Sequence, residues 1–144
     1  MTDLERAWSE LSKNDAWTCA LVRDRVIYHS ERKGIAPMMD LLNAETDLQG
    51  FSVADRVVGR AAAMLFVLAG IAAVHAQVMS CGALAVLQAH GIPTVYEILT
   101  DYIVNRQGDG MCPMENAVQG IEDPKDAREA IRRTQIALAK NRKQ

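Results

Sequence analysis

The 144-residue sequence lacks the marks of several protein classes. No charge of one sign is in excess: sixteen basic residues meet eighteen acidic ones, for a net charge of -2. A surface that tracks phosphates needs a basic field, so no nucleic-acid partner is indicated. Long apolar runs are missing too. The longest, Ala61 to Val74, falls short of the roughly 20 residues that span a bilayer, and Gly70 interrupts it. No membrane association is expected. The start, "MTDLERAWSELSK", has early acids and no hydrophobic stretch, unlike a signal peptide. Cysteine is scarce and odd in number, with only Cys19, Cys81 and Cys112. That excludes a disulfide framework and sets reduced thiols in the cytoplasm as the expectation. The three histidines, His29, His75 and His90, show no ligand spacing with one another or with the cysteines. No metal and no cofactor are expected. Without repeats or low-complexity segments, residues 1–144 read as one domain.

What is present is a succession of hydrophobic periods. Leu4, Ala7, Trp8 and Leu11 recur at helical spacing over residues 3 to 13. "WTCALV" and "VIYHS" read as a β-hairpin turning at Arg23 and Asp24, and "KGIAPMMDLLNA" as a helix with Pro37 in its first turn. "FSVADRVVGRAAAMLFVLAG", residues 51 to 70, reads as one helix capped by Ser52 with Asp55 three positions on. Its charges, Asp55, Arg56 and Arg60, lie in the first half, and the remainder is apolar on all sides. "IAAVHAQVM" suits a central strand covered on both faces, with His75 a buried, hydrogen-bonded histidine. "SCGALAVLQAHG" reads as a helix stopped by Gly91, with His90 favourably placed at its C-terminal end. A short strand "IPTVY" and a helical "EILTDYIVN" precede a glycine-rich loop, and Pro124 opens a last helix. The alternation predicts an α/β fold, a three-layer α-β-α sandwich whose leading hairpin makes the sheet mixed. Ligands of such sheets sit beyond the carboxyl ends of the parallel strands.

The helix pair carries a resemblance. "VVGRAAAML", a strand and "SCGALAVL" are similar to the two zinc-site helices of cytidine deaminases. Over the whole chain, Lys33-Gly34-Ile35-Ala36-Pro37, Asp55 to Ala63 and Asn105 to Glu115 resemble an uncharacterised prokaryotic domain-of-unknown-function family in the cytidine-deaminase-like superfamily. The resemblance implies a cytidine-deaminase-like fold but not its chemistry. Val57 stands at the zinc-ligand position, Gly59 at that of the proton-shuttling glutamate, and Leu84 replaces the partner of Cys81. Zinc deamination needs three protein ligands and that glutamate, so the resemblance implies a zinc-free domain.

Candidate residues follow. "NRQGDGMCPMENAV" places Asn105, Arg106, Gly108, Asp109 and Gly110 before Cys112, Pro113 and Glu115. Cys112 suits a helix N-cap, with Glu115 reaching back to its amide, and the loop suits an anion nest. Pure capping and ligand contact both remain open. Ser80 and Cys81 open a helix after a strand; Cys81 reads as a core thiol, although a helix start also favours a thiolate. Lys33 and Gly34 form a second helix start, or simply a solvated turn. Glycine within a helix costs roughly 1 kcal/mol against alanine, so something approaches Gly59 closely. The expected function is binding of a small polar molecule, a nucleoside or nucleotide being the class considered, through Lys33, Gly34, Asp55, Gly59, Arg60, Ser80, Cys81, Asn105, Arg106, Gly108, Gly110, Cys112 and Glu115. An enzyme using Cys112 as nucleophile or redox thiol, and a non-catalytic interaction protein, are the alternatives. A homo-oligomer is expected.

Overall fold

A computed structural model describes residues 1–105 and 107–142. Helix α1 (Asp3–Lys13) starts in a reciprocal cap: Thr2 Oγ1 accepts from the Glu5 amide, and Glu5 Oε1 accepts from the Thr2 amide, each at 3.1 Å. Its buried stripe is Ala7 and Leu11. The hairpin follows as β1 (Cys19–Arg23) and β2 (Val26–Ser30), with Asp24 in the left-handed conformation at the turn. Helix α2 (Ala36–Asn43) has Pro37 in its first turn.

Residues 51 to 70 depart from the expectation of one helix. They form strand β3 (Ser52–Val58), then helix α3 (Arg60–Ala69), with Gly59 between them as N-cap in an extended conformation. Ser52 is therefore no cap for Asp55. Five of the seven residues in "SVADRVV" are β-branched or small, and this strand preference outweighs the continuous apolar run that begins at Ala61. Gly70, at φ 77°, ends α3 in the left-handed cap that glycine adopts without strain.

Strand β4 (Ala73–Ser80) and helix α4 (Cys81–Ala89) follow as expected. Strand β5 (Thr94–Thr100) runs through the stretch expected to turn helical, because Thr94, Val95, Ile98 and Thr100 are β-branched. Val104 then bridges Met111 across the glycine loop. Helix α5 (Pro113–Ala117) is short, and α6 (Pro124–Arg142) is long.

The sheet order is β2-β1-β3-β4-β5, antiparallel across β2, β1 and β3 and parallel across β3, β4 and β5. It is a mixed five-stranded sheet. Side chains of alternate parity feed two cores. Ala20, Val22 and Ala54 meet Ala7 and Leu11 of α1, flanked by Trp8 and Trp17. Cys19, Leu21, Val53, Val74 and Ala76 join the larger core with α2, α3, α4 and α6. β4 is thus one strand off centre, and its Gln77 is exposed. Among the described residues, no helix is long and apolar enough to cross a membrane.

Candidate functional site

The carboxyl ends of β3 and β4 each release a helix, and the two helix starts lie side by side. An atom at the Cβ position of Gly82 would be 3.7 Å from Arg60 Cβ. They are finished differently. At α3 the Glu115 carboxylate comes from α5 and accepts from two amides, Arg60 N at 2.7 Å and Ala61 N at 2.8 Å. Glu115 is only 8% exposed. This contact explains Gly59, since a Cβ there would sit 2.5 Å from Glu115 Cδ. The sequence expectation of a close approach to Gly59 holds in that form; the glycine lies before the helix rather than within it. Glu115 does not reach back to Cys112, whose amide donates to Ile103 O at 2.9 Å.

Arg60 extends from the same turn. Its guanidinium donates to Ile121 O and stands 3.7 Å from Glu122 Oε1, while its Nε is buried without a partner among the described residues. At α4, by contrast, the cap is local: Ser80 Oγ accepts from Ala83 N at 3.1 Å. Cys81, expected in the core, is exposed in the first turn of α4. Leu84 packs against the larger core.

The other expected residues disperse. Asp55 points to the larger core side of β3, paired in register with Cys19 of β1. Burial pushes its carboxyl up to about 8, opposed by the amides of Val57 and Arg56 and by the Arg56 charge. Burial, with Asp55 beside it, pushes the Cys19 thiol up as well. A cavity of about 110 Å³ lies between this end of β1 and α2, bordered by Cys19, Ser30, Pro37 and Asp40. It is smaller than the roughly 300 Å³ of ordinary ligand pockets. Arg56 turns to the opposite face and donates to Leu11 O at 2.9 Å, Trp17 O at 3.2 Å and Asn14 O at 3.3 Å. It thereby closes the C-terminal end of α1 against the sheet. Val57, at 45% exposure, lies on the strand.

Lys33 and Gly34 form an exposed turn before α2, with Gly34 at φ 65°. Asn105 organises the described part of the loop. Asn105 Nδ2 donates to Asp109 Oδ1 at 2.7 Å, its Oδ1 accepts from the Asp109 amide at 3.2 Å, and its backbone oxygen accepts from Gly108 N at 3.1 Å. Gly110 O in turn accepts from the Asn105 amide. Arg106 lies outside the described residues. Cys112 occupies the N-cap position of α5, half-buried, without a side-chain cap bond. Among the described residues, no three His, Cys, Asp or Glu side chains gather in a metal-holding group.

Sequence reasoning missed three residues. Arg56 was grouped with Asp55 and Arg60 on one helix, and only the strand's period of two separates them. Ile121 and Glu122, the partners of Arg60, carry no local signal because the contact is long-range.

No curated protein matches the chain. A crystal structure of a DUF1893 family protein, TM1506 from Thermotoga maritima, superposes with a TM-score of 0.79 at 28% identity, covering 97% of this chain and 91% of that one. The family model TM1506, described as a domain of unknown function (DUF1893), matches residues 7–134. These residues take in the starts of α3, α4 and α5 and the Glu115 and Ser80 capping contacts, and the chain belongs to the DUF1893 family.

Proposed function

We propose that the chain is a zinc-free, cytidine-deaminase-like domain that binds a small polar ligand at the start of α4. The observation that carries this reading is the unequal finish of two adjacent helix starts. The α3 amides are already held by Glu115, while the first turn of α4 presents exposed Cys81 beside the carboxyl end of a parallel strand. A helix start concentrates unsatisfied amides and positive potential, which suits a phosphate or the polar edge of a base. Gly82 and Ser80 leave little side chain over those amides. The ligand class is a nucleoside, nucleotide or sugar phosphate. Val57, Gly59 and Leu84, standing where a deaminase has two zinc ligands and its glutamate, support binding without hydrolytic deamination.

Thermal denaturation with cytidine, cytidine monophosphate, ribose 5-phosphate and inorganic phosphate tests the reading. At a hundredfold excess over Kd, a bound ligand stabilises by about 2.7 kcal/mol. The expected result is an upward shift of Tm with at least one compound, abolished when Cys81 is alkylated. No shift with any of them overturns it.

A further inference from the structure

β5 is an edge strand with apolar side chains exposed on both faces. Val95, Tyr96, Ile98 and Leu99, continued by Tyr102 and Val104 beyond the strand, are each 39–55% exposed. Val95 and Leu99 lie on the same sheet face as His75, since Val95 pairs with His75 in parallel register. On that face α1 packs on β1, β3 and β4. Tyr96 and Ile98 point to the opposite face.

Exposed strand edges are normally blunted by lysine, proline, bulges or inward charges. The other edge, β2, also exposes Val26 and Ile27, but charged triplets bracket it: Arg23-Asp24-Arg25 before and Glu31-Arg32-Lys33 after. β5 carries one charge, Glu97, and its carboxylate is held by His75 of the same chain, Oε1 to Nε2 at 2.8 Å. Pro93 precedes the strand and does not interrupt it. A strand edge lined with exposed apolar side chains and no charge of its own left free is a ready template for pairing with another strand.

We infer that β5 is a homodimer interface, pairing antiparallel with β5 of a second copy about a two-fold axis at Glu97, so that one ten-stranded sheet runs through the dimer. The strand's own sequence selects this occupant. Centring "TVYEILT" on Glu97 sets Val95 opposite Leu99 on one face, Tyr96 opposite Ile98 on the other, and Thr94 opposite Thr100 at the ends. Apolar meets apolar in the four pairs flanking the axis and threonine meets threonine at the ends, as cross-strand stabilisation favours, and the operation is self-complementary. At the axis the two Glu97 side chains stand opposite each other, a like-charge contact that subtracts from the pairing, and each is held by His75 of its own chain at 2.8 Å. A centre one residue to either side would instead set Glu97 against Val95 or Leu99. The inference is independent of the ligand reading.

Mass measurement by light scattering on the full chain tests it, together with two variants. The expected mass is twice that of the chain, falling to one chain in Ile98→Lys with an unchanged circular dichroism spectrum and remaining double in Val26→Lys. In a chain with Cys81 and Cys112 replaced by serine, Glu97→Cys then forms an intermolecular disulfide under mild oxidation. A monomer at all concentrations overturns the proposal. So does a dimer that survives Ile98→Lys, and so does failure of Glu97→Cys to cross-link.

Discussion

Two helices leave the same end of the sheet, and their first turns solve one electrostatic problem in opposite ways. The start of α3 borrows a carboxylate from 54 residues downstream and shuts it into the protein. The start of α4 uses the serine that immediately precedes it and leaves its next residue, Cys81, in solvent. The difference shows that a helix start need not imply a binding site. Where the protein supplies its own anion, the motif that looks receptive is already occupied.

Removing that anion has the largest expected effect. Glu115→Ala leaves two amides of α3 without a partner, and lost charge-assisted bonds with desolvated donors cost about 3 kcal/mol together. Urea unfolding measures it, and Glu115→Gln, which keeps one accepting oxygen, loses less. Gly59→Ala comes next. The backbone at φ -100° accepts alanine, so its cost of about 2 kcal/mol arises from crowding the carboxylate. Placed in the Glu115→Ala background, the same substitution is expected to be close to neutral. A double-mutant cycle with additive losses would show that the two residues do not interact.

Asp55, lower on the strand that leads into α3, contributes a slope with pH. Its carboxyl keeps its proton in the folded chain up to about 8, whereas an unfolded aspartate loses it near 3.9. Between these values the folded state binds the additional proton, so stability falls as pH rises and levels off above about 8. Asp55→Asn flattens that slope, which unfolding at a series of pH values detects. On the α4 side the effects are smaller. Ser80→Ala removes a single local cap and costs about 1 kcal/mol. Alkylation of Cys81 changes stability by less than about 0.5 kcal/mol, as befits an exposed position. Cys81 is expected to react with iodoacetamide first and Cys19, buried and with its thiol pushed up, last; the reverse order on peptide mapping would remove the contrast between closed and open starts.

Much of this arrangement was legible in the sequence where a local signal exists. The hairpin follows from two strand runs about a tight turn, β4 from a nearly continuous apolar run and α4 from a glycine stop, and Gly59 marked a close backbone approach. Residues 51 to 70 misled because the apolar alanine-rich half of α3 runs on from β3 with no polar linker, and Gly59 alone punctuates the change of period. "EILTDYIVN" misled because a strand bare on both faces lacks the alternation that marks a half-buried one. What closes on Gly59 was not readable. Glu115 sits at a position that local cap chemistry would assign to Cys112, and only the packing of α5 and α6 on α3 turns its carboxylate elsewhere.

The Glu115 clasp also bears on the order of folding. It joins the beginning of α3 to the beginning of α5 across a long stretch of chain, a closure whose entropy must be met before the contact forms. The α5–α6 segment therefore has its seat only after β3 and α3 are assembled. The Arg60 and Ala61 amide protons become slow to exchange at that moment, so hydrogen exchange at these two amides times the docking of the C-terminal segment.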